Sequence, residues 1–167
     1  MKKGLLLFQT LLLGSVLPVM AQQVKPNLPW VDISSDRGRQ IVLSEGTPEL
    51  YNGHPTTVML DDNKTIYCHG GDAGLLAVSK DSGLTWTKQA VPEDWSTMRN
   101  CPSIYNLKDK KGKERLFVFC GQPDMPMTYS EDGGKSWSLV KRLGKPCVMA
   151  FSSIIQLKNG DYLGLYH

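Results

Sequence analysis

Beyond residue 21 the sequence has no apolar run long enough to cross a bilayer. Its charge is nearly balanced: with Lys2 and Lys3 set aside, 17 basic residues face 16 acidic ones. That balance argues against nucleic acid as a partner. The four cysteines, Cys68, Cys101, Cys120 and Cys147, show no tight spacing such as Cys-x2-Cys. The pattern expected of a structural zinc site is therefore missing, and neither metal nor cofactor is expected.

What is there begins with an export signal. Met1-Lys2-Lys3 precedes an almost wholly apolar stretch from Leu5 to Val19, and Val19-Met20-Ala21 leads to Gln22. Residues 1–21 read as a signal peptide cut after Ala21. Leu17-Pro18 interrupts the apolar run, which is short for a span. The remaining 146 or so residues are enough for one modest core. The mature chain is expected in the periplasm or outside the cell, where disulfides are permitted but their connectivity stays open.

Two stretches set the organisation of the rest. Ser79 to Trp86 reads Ser-Lys-Asp-Ser-Gly-Leu-Thr-Trp, and Ser130 to Trp137, 51 residues on, reads Ser-Glu-Asp-Gly-Gly-Lys-Ser-Trp. Both are Ser-x-Asp-x-Gly-x-(Thr/Ser)-Trp. The pattern suits a tight turn in which the Asp accepts backbone N–H groups, the Gly supplies a positive φ and the hydroxyl caps locally. The closing Trp is expected to insert between layers.

Strands fall around these turns. Three stretches align on a final Leu, at 55–60, 102–107 and 152–157, with Leu spacings of 47 and 50. Each is followed by a polar turn and a second strand, at 65–68, 116–120 and 162–166. In the first two repeats a third strand follows, Leu75 to Val78 or Met127 to Tyr129, then the Asp turn, then a fourth strand near Trp86 or Trp137. Four antiparallel strands in about 50 residues make a propeller blade. The fold class expected is all-β. Residues 22–39 read as a leader, with Trp30 to Ile33 strand-like, and Gln40 to Leu43 as a further strand. Residues 40–167 form the blades, with repeats starting near 52, 99 and 149.

The two turns, Ser79, Asp81, Gly83, Trp86 and Ser130, Asp132, Gly134, Trp137, resemble the Asp-box, or bacterial neuraminidase repeat, of the sialidase superfamily. The resemblance runs from about Gln40 to the C-terminus. It implies a six-bladed parent, of which two blades and part of a third are present, so a truncated and inactive fragment is expected. A small oligomeric ring is the alternative. The resemblance also implies a glycan partner, with a glycoside hydrolase acting on acidic sugars such as sialosides. A non-catalytic glycan-binding propeller and a polysaccharide lyase share the scaffold.

In such blades the loops entering the first strands and those leaving the second strands share one face, and the Asp turns lie on the other. Candidate site residues are therefore Tyr51, Asn52 and His54, then Arg99, Asn100 and Cys101, then Cys147 and Met149, on the entering loops. His69 and Asp72, Gln122 and Asp124, and His167 follow the second strands. Arg99 is expected to bind a sugar carboxylate through its planar guanidinium. Asp72 is the candidate general acid, with His69 as proton shuttle. His54, Asn100, Gln122, Asp124 and His167 are candidate substrate ligands. The family's Arg-Ile-Pro motif is met here only by Gly53-His54-Pro55, so Arg99, in Arg99-Asn100-Cys101-Pro102, would take the missing arginine's role one blade later. The family's Tyr nucleophile and its Glu partner come from later blades. Cys101 and Cys120 are expected as cross-strand neighbours, as a disulfide or as two buried thiols. Trp95 has two readings, stacking on a sugar or packing.

Overall fold

A computed structural model of the chain describes residue 32 and residues 34–49, 53–71 and 75–167. The chain divides into two compact units, Met1–Ser35 and Asp36–His167. Of the first, only Asp32, Ser34 and Ser35 are described, and the Ser34 N–H donates to Asp32 Oδ1 at 2.9 Å. The signal peptide and most of the strand expected at Trp30 to Ile33 thus lie outside the described residues.

The second unit is all-β. Its first sheet is an antiparallel meander of β1 (Thr56–Met59), β2 (Ile66–Gly70), β3 (Leu75–Ser79) and β4 (Thr87–Lys88). The second repeats it with β5 (Ser103–Lys108), β6 (Glu114–Phe119), β7 (Pro126–Ser130) and β8 (Lys141–Arg142). A third, two-stranded sheet pairs β9 (Ser153–Gln156) with β10 (Tyr162–Leu165). These are two four-strand blades and a separate strand pair. Among the described residues they do not close into a ring.

Strand alternation decides what each blade buries, because successive side chains point to opposite faces. Tyr67 pairs with Val78 and His69 with Leu76, so these four share the face turned to the second blade. Ile104, Leu116, Val118 and Cys120 answer from the other side, and Tyr67, Leu76, Val78, Trp95 and Met98 complete one buried cluster with them. The other face of the second blade carries Phe117 and Phe119, their rings 5.8 Å apart. Phe151 meets Phe119 edge-on at 4.8 Å. Tyr105 Oη donates to the Phe151 carbonyl at 2.8 Å, and Tyr162 Oη to the Lys108 carbonyl at 2.9 Å.

Two sequence expectations change here. Gln40 to Leu43 is not a strand but an irregular segment following a short 3-10 helix, Arg37–Arg39. Its apolar residues remain largely open, Val42 being 71% exposed, so the apolar run reflects no ladder partner. Trp95, in the 3-10 helix Glu93–Thr97, is fully buried and unavailable for sugar stacking. It wedges between the two blades, with His69 at 5.4 Å between ring centroids and Trp137 edge-on at 5.2 Å.

Candidate functional site

The Asp turns occupy one end of the blades. In the first, Ser79 Oγ donates to Asp81 Oδ1 at 2.8 Å, the Thr85 N–H to the same oxygen at 2.8 Å, and Thr85 Oγ1 to Asp81 Oδ2 at 2.6 Å. The second copies it with Ser130, Asp132 and Ser136, at 2.8, 2.9 and 2.6 Å. The Ser82 N–H donates to the Lys64 carbonyl at 3.0 Å, tying the first turn to the β1–β2 connection. The opposite end therefore carries the loops entering β1, β5 and β9 and those leaving β2, β6 and β10.

At that end the loops are stitched together in each repeat. The Gly71 N–H donates to the Gly53 carbonyl at 3.0 Å, and the Gly121 N–H to the Asn100 carbonyl at 2.8 Å. In the third repeat the Val148 and Met149 N–H groups donate to the His167 carbonyl at 2.7 and 2.9 Å. Gly121 has no room for a side chain, since a Cβ there would lie 2.1 Å from the Val148 carbonyl oxygen. Arg99, Asn100, Gln122, Cys147 and His167 are thereby linked along one continuous edge.

Not every candidate joins it. Tyr51, Asn52 and Asp72, the proposed general acid, lie outside the described residues. His54 is exposed on the neighbouring loop, with φ at 53°. His69 is a correction: it belongs to β2 rather than to a loop, and it is fully buried. Trp95 Nε1–H donates to His69 Nε2 at 3.2 Å, and Nδ1 is buried without a hydrogen-bond partner. Burial pushes its pKa down to about 4, so the ring is neutral and packs as a core side chain. A proton shuttle needs contact with solvent or substrate, which this position denies. Asp124 is paired within its own blade: both its carboxylate oxygens accept from Arg142, at 3.0 and 2.9 Å. Its charge is committed to bracing β8.

Arg99 differs from the other blade arginines. Arg115 pairs with Asp109 at 2.9 Å and Glu131 at 2.6 Å, and Arg142 pairs with Asp124 at 2.9 Å. Arg99 is exposed, and its guanidinium makes no ion pair among the described residues. Its backbone N–H is fixed by Gln122 Oε1 at 3.2 Å. A guanidinium so exposed can take a planar carboxylate through two parallel N–H groups.

The four cysteines are thiols, not disulfides. Cys68, Cys120 and Cys147 are buried and Cys101 half-buried. The Cys147 thiol points to the Gln122 carbonyl, at 3.2 Å. Among the described residues no three His, Cys, Asp or Glu side chains gather as a metal site, and no helix is long and apolar enough to cross a membrane.

An open cleft that no sequence motif marks lies beside the first blade. It measures about 280 Å³ and is lined by Ile41 to Ser44 against Cys68, Gly70 and Leu75. The adjacent glycines Gly70 and Gly71 in its lining are the one local signal for it.

No protein-family model matches the chain, and no curated protein matches it. Among solved structures, it is similar to a protein of unknown function from Dyadobacter fermentans DSM 18053, at 23% identity and a TM-score of 0.46. The match covers 70% of this chain and 32% of that one, so the chain spans about a third of that protein's length.

Proposed function

We propose that the loop end opposite the Asp turns recognises the carboxylate of an acidic sugar. The chain would then supply blades of an exported, sialidase-like glycoside hydrolase. The observation that carries this reading is Arg99, exposed and without an acidic partner among the described residues, while Arg115 and Arg142 are both committed to carboxylates. The Asp-turn blades support the same reading, because they put Arg99, Asn100, Gln122 and His167 on one edge, away from the turns.

A second reading is favoured by the fate of His69. Buried in the core, it supplies no proton at the edge, and Asp72, the candidate general acid, lies outside the described residues. The residues that remain on the edge are ligand-binding types, as a glycan-binding propeller requires.

Calorimetric titration of the protein and of Arg99→Ala with 3′-sialyllactose and with lactose tests the common part of both. A charge-assisted pair contributes about 1.5–3 kcal/mol, so the variant should bind the acidic sugar about 10- to 100-fold more weakly, with no change towards lactose. Equal affinity of both proteins for sialyllactose would remove Arg99 from the site. Because the nucleophile of such a hydrolase would come from later blades, release of free sugar by the full-length parent is what separates hydrolase from binder.

A further inference from the structure

We infer that Gln122 is the positioning residue that holds the Arg99 corner ready for its ligand. Its functional consequence rests on the acidic-sugar reading above; its geometry does not. The side-chain Oε1 accepts the Arg99 N–H at 3.2 Å. The main-chain carbonyl of the same residue accepts the Cys147 thiol at 3.2 Å and the Met125 N–H at 2.9 Å. One residue thus joins the loop entering β5, the loop leading to β9 and its own turn. Its neighbour Gly121 is pressed against the Val148 carbonyl, which blocks movement of this hub towards the third sheet.

The corner that Gln122 holds is conformationally costly. Asn100 and Cys101 are successive left-handed residues, with φ at 59° and 43°. Cys101 immediately precedes Pro102, where the proline ring favours extended backbone. The matching position of the first repeat repeats the feature, since His54 is left-handed at 53° directly before Pro55. With Met125 at 45°, the left-handed non-glycine residues at this end are four among the described residues, against Asn63 and Ser82 at the turn end. Such conformations persist only where the surroundings over-determine them. Gln122 supplies that restraint one residue before the strained pair.

The side chain's neutrality is the second part of the inference. A glutamate at position 122 could accept the same N–H, but its charge would sit within a Debye length of the Arg99 guanidinium and compete with a ligand carboxylate. A neutral acceptor anchors Arg99 and leaves its charge for the ligand.

The test uses the full chain, with Gln122→Ala and Gln122→Glu read in two ways. Amide hydrogen exchange at Arg99 should become at least tenfold faster in Gln122→Ala and stay protected in Gln122→Glu. Affinity for 3′-sialyllactose at pH 7 should fall about tenfold in both. In Gln122→Glu alone it should recover as the pH is lowered through about 4.3, where the new carboxylate is neutralised. A purely structural role would leave Gln122→Glu binding like the parent at pH 7, and that result overturns the inference. So does an unchanged Arg99 exchange rate in Gln122→Ala. Should Gln122→Ala not fold, the exchange and pH profile of Gln122→Glu still decide. If Arg99→Ala binds sialyllactose as the parent does, the acidic-sugar reading fails by itself, and the exchange measurement still judges the hold.

Discussion

The two Asp turns have the same internal wiring and different surroundings. In each, a fully or almost fully buried serine, Ser79 or Ser130, accepts the glycine N–H four residues on at 2.8 Å. Each aspartate is held by the same hydroxyl and amide donors. The tryptophans part company. Trp86 Nε1–H donates to the Gly83 carbonyl at 3.0 Å, within its own turn. Trp137 instead lies edge-on to Trp95, and its buried Nε1 finds no partner. The second turn is also a joint: Tyr67 Oη, from the first blade, donates to the Gly133 carbonyl at 2.6 Å. The motif therefore specifies the turn, while the neighbouring blade decides whether the turn bears load.

That contrast can be broken by substitution, and the glycines should show it most strongly. A Cβ on Gly134 would lie 2.3 Å from Tyr67 Oη, at a φ of 86°. Strain and overpacking together should cost Gly134→Ala about 3 kcal/mol or more. At Gly83, φ is 90° but the nearest atom to a new Cβ is 3.8 Å away. Gly83→Ala should cost only the conformational part, about 1 kcal/mol. Urea unfolding of the two variants checks this, and equal losses would mean that the joint adds nothing.

A smaller effect is expected from Tyr67→Phe. It removes the hydrogen bond to Gly133 and keeps the packing, so about 1 kcal/mol should be lost. The loss should shrink when Gly134→Ala has already displaced Tyr67, and a double-mutant cycle measures that coupling. Additive losses would show that the tyrosine and the turn act separately.

The smallest difference should be in acid. Hydrogen bonds from Thr85 and Ser79 bring the Asp81 pKa from 3.8 to about 2, and those from Ser136 and Ser130 lower Asp132 further. Because the folded values are depressed, the stabilisation is fully present above about 3.8, the ordinary value. It is lost as the pH falls through about 2. Carboxyl-carbon titration by NMR should find both aspartates ionised at pH 3. A midpoint near 3.8 for either would contradict the shared wiring.

The same contrast explains what the sequence disclosed. The Asp turns and Leu anchors are local patterns, so the strand order and the two blades were legible from them. The last strand of the second blade was placed too early: β8 begins at Lys141, four residues after Trp137, because Ser138 first bonds to the Tyr129 carbonyl through its N–H. The histidine at position 69 looked like a loop residue because β2 was expected to stop at Cys68. The ladder to Leu75 extends it to Gly70 and turns His69 inward. Its partner Trp95 was ambiguous because burial between blades is a long-range property with no local signal. Arg99 was legible as a candidate, whereas the anchoring of its backbone by Gln122 depends on the β6–β7 loop folding back across 23 residues.

The most direct measurement of the central claim compares the two ends of the blades in one experiment. Backbone amide shifts recorded during titration with 3′-sialyllactose should move at Arg99, Asn100 and Gln122 and stay fixed at Asp81 and Asp132, with lactose moving neither set. Shifts confined to the Asp turns, or equal shifts with both sugars, would contradict a carboxylate site at the Arg99 end.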